Sequence, residues 1–327
     1  MNDRIRLPAV LILLGLLATV LVALSLAIGS SRLAPADIVD ALVSGTPSLA
    51  RDVVLDLRLP RAMSALAVGG LLALAGAMLQ VLLRNPLADP YVLGISGGAS
   101  VFALLAIMVG LPGAGVDGAA ALGAFVTCLV VFALAQGRGG WTPTRLLLTG
   151  IVVAAGTGAV VSLLLATSDD AGLRGMVFWL LGDLSRARGW PWLLALLGVA
   201  AAAGILLGRH LNVLARGMTQ AASVGLDVRR FQMLLFVLSS VLTGVAVSAA
   251  GSIGFVGLVT PHLVRLMLGS DNRVVLPVSA LLGGILLVAA DLASRVLLAP
   301  RQLPVGALTA LVGVPIFLVL MGRQRPA

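Results

Sequence analysis

Ten times along its length this chain turns apolar for about as many residues as a bilayer crossing requires. The runs fall at 7–28, 61–83, 92–110, 119–135, 146–166, 190–207, 231–250, 253–268, 276–298 and 303–321. Spanning roughly 30 Å of hydrocarbon takes about 20 apolar residues in a helix, and only helices or closed barrels satisfy their backbone there. Charged residues are 11% of the sequence, against about 25% in soluble domains. The expected fold is a single all-α polytopic membrane domain over residues 1–327 with about ten transmembrane helices.

The most informative interruption reads RNPLADPYVLGISGGAS, Arg84 to Ser100. Pro86 and Pro90 cannot continue a helix ending near Leu83. Gly94, Gly97 and Gly98 let a new helix begin with its backbone close to its neighbours. The stretch is predicted to be a structured re-entry point, with Arg84, Asn85, Pro86, Asp89, Pro90 and Gly94 forming a turn on the cytoplasmic side.

All 22 basic residues are Arg and all 13 acidic residues are Asp. A P-loop needs its Lys on the phosphates, and Schiff-base chemistry needs one too, so neither is built from this chain alone. Any ATP that drives it must be hydrolysed by another polypeptide. The net charge of +9 would suggest nucleic acid in a soluble protein, but here membrane topology accounts for it. Ten spans put both termini on one side. Placing them in the cytoplasm assigns 13 Arg there, among them Arg4, Arg6, Arg138, Arg145, Arg209, Arg216, Arg229, Arg230, Arg323 and Arg325, against nine outside. Nucleic acid is not an expected partner; membrane lipid is.

Cys128 is the only cysteine and lies inside an apolar run, which excludes an internal disulfide and a Cys-based metal cage. His210 and His262 are too few and too far apart for a metal site, so no resident metal or cofactor is expected. Trp141, Trp179, Trp190, Trp192 and Tyr91 sit at the ends of runs, where amphipathic rings favour the headgroup level. The first run exceeds the roughly 7–15 residues of a signal-peptide core and reads as an uncleaved helix.

Three inserts carry polar character. Residues 30–59, with Asp37, Asp40, Asp52 and Asp56, are long enough for one or two short extracytoplasmic helices. Residues 167–190 contain Met176 to Gly182, a run too short to span, read as a half-helix near an outer mouth. Residues 210–231, HLNVLARGMTQAASVGLDVRRF, form the largest cytoplasmic loop. There Gly217 and Gly225 bracket Met218, Thr219, Gln220, Ala221, Ala222, Ser223 and Val224, and the small residues would let a short helix seat closely in a groove of another protein. A solvated loop with membrane-surface arginines is the alternative.

Gly94-Ile95-Ser96-Gly97-Gly98 formally matches the G-x-S-x-G nucleophile elbow, with His262 as an imaginable base, but an elbow needs a preceding strand. Gly113 to Gly118 fits G-x-G-x-x-G yet lies between two membrane runs, so a turn is expected in place of a dinucleotide site. Asp291 is the only acid within an apolar run, a placement that often marks ion pathways. Arg295 one turn later offers it a structural i,i+4 partner. Arg58 and Arg61 mark the outer end of the second run. Three guanidiniums at the outer ends of runs two and nine suit bidentate bonds to carboxylates of a docking protein; local pairing of Arg58 with Asp56 is the competing use.

The wording of Arg84–Ser100, together with RLPRAMSALAVGG from Arg58, FWLLGDL from Phe178, GSIGFVGLVTPHLVR from Gly251 and LPVGALTALVGVPIFLVL from Leu303, resembles the FecCD-type permeases. These are the membrane subunits of ATP-binding-cassette importers for iron chelates, haem or cobalamin. The resemblance implies a homodimer with a central pathway, two cytoplasmic ATPase subunits that use the ATP, and a periplasmic substrate-binding protein. It also implies residence in the bacterial inner membrane, alternating access without covalent chemistry, and no enzymatic activity in this chain. Matched residue by residue, Arg58, Arg61 and Arg295 resemble the sites that receive acidic residues of the binding protein. Gly217 to Gly225 resemble the segment that couples to the ATPases. An iron complex, ferric siderophore or haem, is the expected cargo, with cobalamin and ion-coupled secondary transport as alternatives. Asp183 stands where the family commonly carries Ser.

Overall fold

The computed structural model describes residues 3–29, 33–43, 47–136, 142–187 and 189–323, so Arg138, Trp141 and Arg325 lie outside the described residues. Among these residues there is no strand. The chain forms α1 (Asp3–Ala27), α2 (Pro35–Val43), α3 (Leu49–Asp52) continuing through a π-helical stretch at Val53–Arg58 into α4 (Leu59–Leu82), α5 (Ile95–Met108), α6 (Gly113–Ala135) and α7 (Pro143–Thr167). Then follow α8 (Asp170–Leu180), α9 (Trp190–Ala215), α10 (Met218–Ser223), α11 (Val228–Ala250), α12 (Val256–Leu268), α13 (Asn272–Val296) and α14 (Val305–Arg323).

Seven of these helices, α4 being counted with the helical turns before it, are long and apolar enough to cross a bilayer; α5, α12 and α14 are shorter apolar helices. All ten predicted runs are helical, and the ends differ instructively. Run three starts at Ile95, because Pro90–Leu93 form a 3-10 turn and Gly94 is left-handed at φ 73°. Run eight starts at Val256, after an irregular stretch at 251–255. The glycines at 113–118, expected to make a turn, open α6 instead, behind an extended Pro112. Apolar surroundings reward internal backbone bonding even for glycine. Run six continues past its expected end to Ala215, which takes His210 to Ala215 out of the loop and into α9.

The fold is organised around α4. It is apolar on every side, the pattern of a helix enclosed by others, and is surrounded by α9, α11, α12 and α13. Glycine permits the closest approaches. A Cβ on Gly69 would lie 2.2 Å from the Gly283 carbonyl oxygen of α13, and one on Gly76 would lie 1.9 Å from the Gly257 carbonyl oxygen of α12. Helices in lipid gain from such backbone proximity, because no hydrophobic force drives them together. At the other side, α5 packs on α6, where Gly98 and Gly123 face each other, and on α7. By contrast α1, α7 and α9 keep most of their surface on the outside of the bundle.

Candidate functional site

The arginines of α4 and α13 converge. Arg58 closes the π-helical stretch and Arg61 follows one turn later. Arg295 comes from the last turn of α13. All three are buried, at 6%, 9% and 7% exposure, and Asp291 between them is at 0%. Arg61 Nε donates to Asp291 Oδ1 at 2.7 Å, and Arg61 Nη1 donates to Gln302 Oε1 at 2.9 Å. Arg295 Nε sits 3.1 Å from Asp291 Oδ2, the i,i+4 pair the spacing permits. That contact is close but poorly aligned for a hydrogen bond, since both atoms lack a well-formed one.

The other donors reach α1. Arg58 Nη1 donates to the carbonyl oxygens of Leu26 at 2.6 Å and Ala27 at 3.1 Å. Arg295 Nη2 donates to Ser25 Oγ at 2.5 Å, and its Nη1 to the Ser25 carbonyl at 3.3 Å. These are among the final carbonyls of a helix, which have no partner within it. The guanidiniums therefore finish α1 while neutralising Asp291. They line a cleft of about 270 Å³ with Asp56, Pro60, Ser185 and Gln302. Three cations against the carboxylates of Asp291 and Asp56 leave an excess positive charge there, suited to holding a carboxylate. A carboxylate clamped by two guanidiniums is a poor proton carrier, which removes the motive for reading Asp291 as an ion-coupling site.

The re-entry segment divides in two. Arg84, exposed and at φ 49°, with Asn85 and Pro86 forms the turn at the end of α4; the Asn85 side chain accepts from Leu87 N–H. The chain then climbs back along the bundle. Asp89 Oδ1 caps the 3-10 turn by accepting from Tyr91 N–H at 2.8 Å. Pro90 rests on Gly257, and Gly94 lies against Gly150 and Ala154 of α7. Tyr91, expected at headgroup level, is instead spent on the irregular stretch before α12. Its hydroxyl donates to the Ile253 carbonyl at 3.0 Å and accepts from Ile253 N–H at 2.9 Å. Gln80 adds a second tie, donating to Leu258 O at 3.2 Å and accepting from Arg265. Gln80 and Ser25 were visible in the sequence as polar residues inside apolar runs; Gln302, just before the last run, had no such signal.

The remaining sequence candidates behave as structure. Gly94-Ile95-Ser96-Gly97-Gly98 opens α5 with no strand before it among the described residues, and Gly97 packs against Thr157. His262 is buried in α12 with its ring edge-on to Phe317. Asp183, the departure from the family wording, takes both the N–H and the hydroxyl of Ser185 at 2.8 Å.

On the opposite end, Gly217 to Gly225 make α10 and its flanks. Gly217 and Gly225 adopt φ 135° and 87°. Ala221 is buried against the bundle while Thr219, Gln220, Ala222, Ser223 and Val224 are exposed, Val224 at 69%.

Comparison with known proteins bears on this arrangement. The FecCD transport family matches residues 16–323. The cobalamin import system permease protein BtuC of Halobacterium salinarum is 45% identical over 287 residues, 86% of this chain and 76% of that protein. The hemin transport system permease protein HmuU of Yersinia pestis is 43% identical, covering 83% of each. A solved structure described as an inward-facing conformation of a metal-chelate type ABC transporter superposes with a TM-score of 0.84 at 31% identity, covering 97% of this chain and 100% of that one. With the match running from the first span to the last, this chain belongs to the FecCD transport family.

Proposed function

We propose that this chain forms the membrane pathway of a binding-protein-dependent importer for a large metal chelate, working as a homodimer with two ATPase subunits. The observation that carries this is the convergence of Arg58, Arg61 and Arg295 at one end of the bundle, with the exposed face of α10 at the other. The arginine cleft would receive acidic side chains of the binding protein, and α10 would seat in the ATPase. Both termini are assigned to the cytoplasm on the arginine bias. Transport is by alternating access: partners that bind the inward and outward states unequally shift the balance between them.

The relatives divide on cargo, one carrying cobalamin in its name and another hemin. An iron complex, haem or a ferric siderophore, is the cargo proposed here, and cobalamin is the second reading, favoured by the relative at 45% identity. The test is co-purification with an ATPase subunit, followed by ATPase activity in lipid with the binding protein and each of haem, ferric siderophore and cobalamin. A stable complex stimulated by the binding protein supports the importer, and the chelate that alters stimulation names the cargo. Failure to form the complex would sink the reading.

A further inference from the structure

Two of the ten apolar helices, α5 and α12, begin inside the bundle, and both of their starting points border one cavity. Their depth follows from their neighbours. Gly257, beside the start of α12, packs on Leu72 and Gly76 of α4, ten and six positions before Leu82. Gly94, before α5, packs on Gly150 and Ala154 of α7, seven and eleven positions after Pro143. At 1.5 Å per residue both breaks lie about 9–16 Å in from the helix ends, near the middle of a layer roughly 30 Å thick.

Irregular backbone at that depth is compatible with protein or with water, but not with lipid. Tyr91 satisfies Ile253 from one side by using its hydroxyl as both donor and acceptor. The other side opens onto a cavity of about 410 Å³ lined by Asp89, Tyr91, Val92, Gly254, Phe255 and Leu258. Gly254 faces open space, since a Cβ there would meet nothing within 4 Å. Phe255 holds φ 68°, a conformation bulky side chains avoid, at the rim of the same cavity. Strain of this kind persists where the surroundings impose it, often at ligand contacts.

We infer that this cavity is a wetted part of the cargo pathway, where Tyr91, Val92 and Phe255 offer an aromatic and aliphatic surface to the apolar face of a bulky chelate. The inference rests on the importer reading and names residues that reading leaves open. Discontinuous helices meeting at mid-membrane are a recurrent way of building a substrate site in transporters. Tyr91 is a positioning residue for the cavity wall as well as part of its surface.

The test uses the assembled complex in lipid vesicles, with Cys128→Ala as background and single cysteines at Val92, Gly254 and, as a lipid-facing control, Val199, which is 67% exposed on α9. A charged, membrane-impermeant methanethiosulfonate is expected to modify Val92→Cys and Gly254→Cys at least tenfold faster than Val199→Cys. Modified Gly254→Cys should lose chelate uptake while binding-protein-stimulated ATPase activity persists. Reaction at both positions as slow as at Val199→Cys overturns the inference, as does full uptake after modification. An unmodified complex without stimulated ATPase activity overturns the importer reading instead, and the thiol rates still decide whether the cavity is wetted.

Discussion

Asp291 Oδ1 and Arg61 Nε meet at 2.7 Å although 230 positions separate them. That bond ties the N-terminal end of α4 to the C-terminal end of α13, and it makes a single carboxylate the counter-ion of two buried guanidiniums. Removing one member of such a group leaves uncompensated buried charge, at a cost of about 3–5 kcal/mol.

Asp291→Asn is therefore expected to lower the thermal unfolding temperature of the purified chain strongly. Gln302→Ala, which removes one acceptor at the partly buried rim of the cluster, should cost only about 1 kcal/mol. Detergent-solubilised unfolding followed by fluorescence size exclusion compares the two; equal effects would contradict the charge argument.

Charge reversal at Arg58 together with Arg61 should reduce binding-protein stimulation of the ATPase, and the stimulation of the unaltered protein should fall as salt rises. Because Arg58 also holds α1 carbonyls, the measurement pairs stimulation with basal ATPase activity of the same sample. Unchanged stimulation would refute the docking role.

The glycines separate into two groups by what a methyl would meet. Gly76→Ala pushes a Cβ onto the Gly257 backbone, whereas Gly156→Ala meets nothing within 4 Å. The first should abolish recovery of monodisperse protein and the second should leave it unchanged, as read by yield after size exclusion.

Val224→Asp places a charge on an exposed apolar position beside α10. Stability should shift by less than about 0.5 kcal/mol, as for surface changes, while co-purification of the ATPase subunit drops severalfold. Retention of the ATPase at full stoichiometry would show that this face does not seat in it.

Tyr91→Phe removes the hydroxyl that serves Ile253 twice and leaves two buried backbone groups to find new partners. The expected loss is about 1–3 kcal/mol, measured by thermal unfolding of the variant beside the unaltered protein. An unchanged unfolding temperature would mean that the hydroxyl contributes nothing.

What could be read from the chain was what depends on near neighbours. Ten apolar runs gave ten helices because hydropathy and hydrogen-bond satisfaction act locally, and the Asp291–Arg295 pair followed from helical spacing. Arg61 and Gln302 meeting on the same cluster did not, since nothing near either residue encodes a partner some 230 or 240 positions away. Tyr91 misled for a related reason: its position at the end of a run suggests the headgroup level, and only the climb of residues 84–94 back into the bundle turns its hydroxyl onto Ile253. The glycines at 113–118 have turn composition, but an apolar environment makes helix the less costly outcome.

The first helix shows what that long-range dependence means for biogenesis. Only 17% of the α1 window is buried against the rest of the chain, and its end is finished by side chains from α4 and α13. A ribosome emitting this polypeptide releases α1 long before Arg295 exists. Until then the nascent span has water at the membrane surface as partner for its last carbonyls, and its seat in the bundle is completed only when the ninth span arrives.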